Sequence, residues 1–167
     1  SGKISRQAAF GVGLVLMIAG AASTYAVNNT AFAIALSFTI LAMAYNIILK
    51  RLPLIGNAFI ASAMSISFLY GNFVVSNTLN FFVLWFAVSG FLVGLGRELI
   101  ITLRDVEGDK KLKAKTMPMI LGEKKTIMLA SVCIYLGIAA NLVPLFKKLS
   151  IAYSVLIAIG NALLLYS

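Results

Sequence analysis

Four of the chain's five acidic residues fall within residues 97–122, the one strongly polar stretch of an otherwise apolar sequence. These four residues are Glu98, Asp105, Glu107 and Asp109. On a helix, Asp105 and Asp109 would lie one turn apart on the same face, and Glu98 would project onto the same stripe. Carboxylates are costly wherever water is scarce, so their concentration in one part of an apolar chain indicates a function.

The chemistry that fits this face is the binding of Mg²⁺ and a diphosphate. Mg²⁺ usually takes one or two protein carboxylates and completes its coordination with water and substrate phosphate. Arg97 and Arg104 share a neighbouring helical stripe, and guanidinium groups bind phosphate oxygens well. The alternative is a solvated segment whose acids and bases neutralise one another. The metal-binding face requires helix as far as Asp109, and Gly108 weighs against that.

The composition indicates a membrane protein. Of the 167 residues, 61% are hydrophobic and 11% are charged, whereas about 25% of an ordinary soluble domain is charged. The formal net charge is +9, but the cations stand in short loops between apolar spans. That arrangement indicates lipid head groups as partners, and not nucleic acid. The chain has no His, which excludes histidine chemistry, and its single Cys133 cannot form an intrachain disulfide.

Six apolar spans are predicted, each near the roughly 20 residues that cross about 30 Å of hydrocarbon. They cover residues 8–27, 31–49, 57–70 with an extension to 76, 79–96, 126–146 and 149–166. The predicted fold class is therefore all-α, a polytopic transmembrane helical bundle. Because the chain begins without Met and ends inside an apolar segment, we expect it to be an internal piece of a longer polypeptide.

The basic residues predict the orientation of the spans. Twelve of the fourteen lie in loops on the side of Ser1, whereas Lys147 and Lys148 lie on the other side. The positive-inside rule therefore places the Ser1 side in the cytoplasm of a cell-membrane protein. The polar stretch at residues 97–122 and the loop that carries Lys50 share this face, where a soluble phosphorylated metabolite would be available.

Several segments resemble the UbiA superfamily of intramembrane prenyltransferases. The sequence DVEGD at residues 105–109 resembles the family's second aspartate motif, DxxxD, and TMP at residues 116–118 follows it as a T-x-P does in the family. The sequence YNIILK at residues 45–50 resembles a Tyr/Lys motif that is often YxxxK, and a GN pair follows at residues 56–57. The sequence around DVEGDK at residues 105–110 looks most similar to that of archaeal-type members of the family.

The order of the spans agrees with this resemblance. Family members have nine transmembrane helices, with the Tyr/Lys motif at the end of the fourth and the second aspartate motif after the sixth. Here these motifs follow the second and fourth spans, so the six spans would correspond to helices three to eight. Residues 1–167 would form a single prenyltransferase domain that is incomplete at both ends. The family's first motif, NDxxDxxxD, is absent from the chain, so this piece alone is expected to be inactive.

The resemblance also implies a reaction. Family members transfer a prenyl group from a prenyl diphosphate to a lipid-soluble or aromatic acceptor, with Mg²⁺ bridging the aspartate motifs and the diphosphate. Here Asp105 and Asp109 would bind Mg²⁺ and, with Tyr45, form the catalytic set. The residues that would bind diphosphate oxygens are Lys50, Arg104 and Lys110. The acceptor would be geranylgeranylglyceryl phosphate or a quinone precursor such as 4-hydroxybenzoate or a naphthoate.

Two features of the Tyr/Lys segment leave its role open. Tyr45 would stabilise an allylic cation or hydrogen-bond the diphosphate, but Tyr45 and Lys50 could instead anchor a helix at the membrane interface. Their spacing is one residue longer than in YxxxK, so they would lie about 140° apart on a straight helix, with Lys50 beyond its end.

Glu98 is a candidate for a supporting group near the metal. The residues predicted to face lipid head groups are Lys111, Lys113 and Lys115.

Two other classes of membrane protein compete with this interpretation. CDP-alcohol phosphotransferases also cluster aspartates, but their motif DxxDGxxAR is absent here. A transporter or channel segment with a polar cytoplasmic loop is the second alternative. Transport paths usually need charged residues near the middle of the membrane, whereas the predicted spans of this chain are uncharged.

Overall fold

The computed structural model describes residues 5–111, 115–147 and 151–166, with the exception of six side chains, those of Arg6, Arg51, Asp109, Lys110, Lys111 and Tyr166. The described residues form helices and turns, and no strand occurs among them. The helices are α1 (Arg6–Tyr25), α2 (Asn29–Ile47), α3 (Ile55–Val75), α4 (Phe81–Arg104), α5 (Val106–Lys111), α6 (Met117–Leu121), α7 (Glu123–Leu142) and α8 (Ile151–Tyr166). A 3-10 helix, Leu49–Arg51, follows α2, and another, Val143–Phe146, follows α7.

Five of these helices are long and apolar enough to cross a membrane. They are α1, α2, α3, α4 and α7, and they confirm the first five predicted spans and the all-α class. The sixth predicted span corresponds to α8, which has 16 residues. At 1.5 Å per residue α8 rises about 24 Å, less than the hydrocarbon thickness. Residues 149 and 150, where that span was predicted to begin, lie outside the described residues.

The helix α4 continues to Arg104, well beyond the predicted end of its span at residue 96. The polar stretch from residue 97 therefore begins inside α4, and it also contains the short helices α5 and α6. The physical reason is burial. Leu99 is fully buried and packs with Met117 and Ala130 in a small apolar core, which favours helix through a polar sequence.

Small residues set the spacing of the central helices. A Cβ at Gly96 would lie 2.7 Å from the carbonyl oxygen of Ala130, so α4 and α7 approach too closely there for any other residue. On α7, a Cβ at Gly137 would lie 2.7 Å from Cγ2 of Val93. These contacts fix α4 against α7, and α4 in turn carries Glu98 and ends one residue before Asp105.

Replacing Gly96 by Ala is expected to destabilise the protein by about 1–3 kcal/mol, because the added methyl group would push α4 away from the backbone of α7. The measurement is thermal unfolding of the full-length protein in detergent. The matched control is Gly71→Ala in α3, where an added Cβ meets no described atom within 4 Å. Both changes raise helix propensity equally, so a Gly96→Ala variant as stable as Gly71→Ala would contradict the close approach.

Candidate active site

A cavity of about 200 Å³ lies at the end of the bundle where α2 turns into α3 and where α4 ends. Four charged side chains line it, those of Lys50, Glu98, Asp105 and Lys115. They come from three separate segments: the 3-10 helix after α2, the end of α4, and the residues before α6. The cavity therefore collects both signs of charge from residues far apart in the sequence, in a chain with few charged residues.

Asp105 stands at a break between two helices. It follows the last residue of α4 with φ −95° and ψ 1°, and its N–H donates to the carbonyl of Ile101 at 3.3 Å. A single straight helix from α4 to Asp109 therefore does not form, and the helical continuity that a carboxylate face from Glu98 to Asp109 would require is interrupted at Asp105. Carboxylates are unfavourable at a helix C-terminus, where the helix dipole is negative, and Asp readily leaves helical geometry. Upstream of the break, Glu98 and Thr102 do line the cavity with Asp105.

Lys50 lies beyond the end of α2, as its spacing from Tyr45 predicted. The 3-10 helix turns the chain so that both Tyr45 and Lys50 line the cavity, despite the 140° that a straight helix would place between them. The turn packs closely against α3, since a Cβ at Gly56 would lie 3.1 Å from the carbonyl oxygen of Leu49. Leu54 adopts φ 63°, a strained value for a residue with a side chain.

Asn57 connects the start of α3, next to the turn that contains Lys50, to α4. Its Nδ2 donates a hydrogen bond of 3.4 Å to the backbone carbonyl of Glu98, and its side chain lines the cavity. The pair Gly56 and Asn57, which the sequence presented only as a motif, thus has two separate structural roles. Gly56 admits the backbone of the turn, and Asn57 ties α3 to α4.

The ring of Tyr45 is held by an aromatic stack between α2 and α3. It stacks on Phe59 with centroids 4.7 Å apart, and Phe59 stacks on Phe38 at 5.3 Å, with interplanar angles of 20° and 15°. Stacked rings contribute beyond simple burial, so the tyrosine ring is oriented and not free to swing. Sequence reasoning missed both phenylalanines, although Phe38 lies seven residues before Tyr45 and therefore on the same face of α2.

Comparison with known proteins identifies the family. The sequence profile of the UbiA prenyltransferase family matches residues 1–167. The chain belongs to the UbiA prenyltransferase family. With its long apolar helices, this UbiA-family chain is part of a multi-pass membrane protein.

Similar curated proteins include archaeal digeranylgeranylglyceryl phosphate synthases. Digeranylgeranylglyceryl phosphate synthase of Pyrococcus furiosus is 32% identical over 158 residues, which are 95% of this chain and 56% of that protein. The protein of the same name from Methanosphaera stadtmanae is 32% identical over 168 residues, 100% of this chain and 61% of that protein. The chain thus spans a little over half the length of these relatives. No solved structure matches it significantly.

The predicted site residues of this UbiA chain fall into three groups. Tyr45, Lys50 and Asp105 line the cavity together. Arg104 is exposed and is not among the lining residues, and its role as a diphosphate ligand stays a prediction. The side chains of Asp109 and Lys110 lie outside the described residues, although their backbone belongs to α5.

Lys115 is one lining residue whose role the sequence did not indicate. It was grouped with lysines that face lipid head groups, but it lines the cavity together with Thr116. Its place in a run of lysines hid this difference, because no local feature of the sequence distinguishes Lys115 from Lys111 or Lys113. Glu98, by contrast, was predicted as a supporting group and does line the cavity.

The donor set of the cavity fits Mg²⁺. Within the described residues, no cluster of three or more His, Cys, Asp or Glu side chains is present. Glu98 and Asp105 nevertheless present two carboxylates to one cavity, and Mg²⁺ usually requires only one or two from the protein. Oxygen ligands without sulfur or imidazole also suit a hard cation and not a transition metal.

Proposed function

We propose that the full-length protein transfers a prenyl group from a prenyl diphosphate to a lipid acceptor, and that the acceptor is geranylgeranylglyceryl phosphate. The observation that carries the proposal is the meeting of Tyr45, Lys50 and Asp105 in one cavity of a UbiA-family chain. The acceptor is supported by the names of its relatives, which are digeranylgeranylglyceryl phosphate synthases. Aromatic quinone precursors are the alternative acceptors.

In this proposal, Asp105 and Asp109 hold Mg²⁺, with Glu98 near them. When bound, Mg²⁺ neutralises the charge that develops on the departing diphosphate. Lys50 binds diphosphate oxygens, which also favours loss of the diphosphate with the electron pair of the allylic C–O bond. The hydroxyl oxygen of the acceptor forms the new C–O bond as the allylic C–O bond breaks, and its proton passes to the released diphosphate or to water.

Tyr45 acts on the allylic end of the donor. Its ring is held by stacking on Phe59, so one face can lie beside an allylic carbon that is becoming positive. Its hydroxyl could alternatively donate to a diphosphate oxygen. A Tyr45→Phe variant separates the two roles, because it keeps the ring and removes the hydroxyl.

The proposal also covers the position of the site in the cell. Under the positive-inside rule, the Ser1 side and the cavity face the cytoplasm, where the charged diphosphate end of the donor is hydrated. Residues 1–167 would be part of one prenyltransferase domain, and the family's first aspartate motif would have to come from outside them. Activity measurements therefore need the full-length protein.

The test is a transfer assay with the full-length protein in membranes, Mg²⁺ and labelled geranylgeranyl diphosphate. Acceptors are geranylgeranylglyceryl phosphate, 4-hydroxybenzoate and a naphthoate, each supplied separately. We expect label to enter the first of these only, and chelation of Mg²⁺ to abolish the reaction. Labelling of an aromatic acceptor alone would overturn the acceptor but keep the class of enzyme. No labelling of any acceptor by folded protein would overturn the proposed function.

A further inference from the structure

Lys115 and Thr116 line the cavity from the segment that precedes α6, and the proposed reaction gives them no role. Both line the same cavity as Lys50 and Asp105. We propose that Lys115 and Thr116 form a phosphate-binding pair, which takes a phosphate group of one of the two substrates. The inference rests on the proposed function, in which the donor and the acceptor both carry phosphate.

The hydroxyl group of Thr116 supports the proposed phosphate-binding pair. Its Oγ1 is shielded from solvent and has no hydrogen-bond partner in the described part of the protein. Thr116 precedes α6 with an extended backbone, but its side chain does not cap that helix. A buried hydroxyl without a partner is unfavourable. Because Thr116 lines the cavity, rotation about χ1 would turn the hydroxyl toward a phosphate oxygen bound there.

The packing of the residues that follow Thr116 also supports the pair. The next residue, Met117, is buried and packs with Leu99 of α4 and Ala130 of α7. Pro118 follows and is also buried, and its ring fixes the backbone angle at the start of α6. The backbone that carries Thr116 is therefore anchored against α4 and α7 by the residue that follows it.

The charge of the cavity also favours the binding of phosphate. Its described lining contains two lysines, Lys50 and Lys115, and two carboxylates, Glu98 and Asp105. These four charges balance, so a divalent metal ion would leave the cavity positive and suited to a further anion. Lys115 offers three N–H donors and Thr116 one O–H donor, which together suit the several oxygens of a phosphate group.

The phosphate could belong to the diphosphate of the donor or to the phosphate of the acceptor. The kinetic test uses full-length Lys115→Gln and Thr116→Val, with geranylgeranyl diphosphate and geranylgeranylglyceryl phosphate varied in turn. The substrate that the pair binds should show a KM about 10- to 100-fold higher in Lys115→Gln and about 3- to 10-fold higher in Thr116→Val. The KM of the other substrate should change less than about twofold. Thr116→Ser, which restores the hydroxyl, should return the KM toward that of the wild type.

The control is Lys124→Gln, because Lys124 is exposed at the start of α7 and does not line the cavity. It removes the same charge from the same face of the protein. A raised KM for the acceptor assigns the pair to the acceptor phosphate, and a raised KM for the donor assigns it to the diphosphate. If Lys115→Gln changes neither KM more than Lys124→Gln does, the pair is rejected.

A binding measurement separates failure of the pair from failure of the proposed function. Thermal unfolding of the full-length protein is followed with inorganic pyrophosphate and, separately, with glycerol phosphate. We expect one of these ligands to raise the Tm of the wild type and to lose that effect in Lys115→Gln but not in Lys124→Gln. If no acceptor is prenylated, this result would still support the pair. Equal stabilisation of wild type and Lys115→Gln would overturn it.

Discussion

Replacing Asp105 by Asn in the full-length protein is expected to lower the rate of prenyl transfer by about 100- to 1000-fold. Asn keeps the size of the side chain but removes the negative charge that would hold Mg²⁺ beside the diphosphate. Asp105 lies at the break after α4 and lines the cavity that we propose binds the diphosphate. The measurement is the initial rate at saturating donor over a range of Mg²⁺ concentrations.

The matched control is Glu107→Gln, two residues further along. Glu107 is exposed and does not line the cavity, so its neutral variant should keep a rate within about twofold of wild type. An Asp105→Asn variant with the wild-type rate and the wild-type Mg²⁺ requirement would contradict the metal assignment. Equal losses in both variants would indicate a general effect of charge in this segment.

Replacing Lys50 by Gln is expected to raise the KM for geranylgeranyl diphosphate by about 10- to 100-fold, since a charge-assisted hydrogen bond to phosphate is lost. Lys50 is held at the cavity by its 3-10 helix, which packs against Gly56. Lys50→Arg keeps the charge and should recover part of the affinity, but not all, because the guanidinium group has a different geometry. The measurement is KM and kcat for the donor at saturating acceptor.

Lys125→Gln is the control for the loss of a positive charge. Lys125 is exposed near the start of α7 and is not among the residues that line the cavity. Its KM for the donor should stay near that of the wild type. If Lys50→Gln leaves the donor KM unchanged, Lys50 is an interfacial anchor of the helix and not a ligand of the diphosphate.

The sequence alone was sufficient for the membrane class and for most of the helices. The lengths of its apolar runs predict membrane spans without knowledge of any contact, because each span must satisfy its own backbone hydrogen bonds in lipid. The sequence also located the polar stretch that carries Glu98 and Asp105, because few charged residues occur in the apolar runs on either side of it. The spacing of Tyr45 and Lys50 also predicted correctly that Lys50 lies beyond its helix.

Only the tertiary structure decided which polar residues meet. The continuation of α4 to Arg104 depends on burial of Leu99 against Met117 and Ala130, residues that follow it by 18 and 31 positions in the chain. The packing of Met117 against Leu99 likewise brings Lys115, two residues earlier, to the cavity, whereas Arg104 at the end of α4 is not among the lining residues. Local pattern describes one segment at a time, whereas these placements depend on packing between segments, which no periodicity within one of them records.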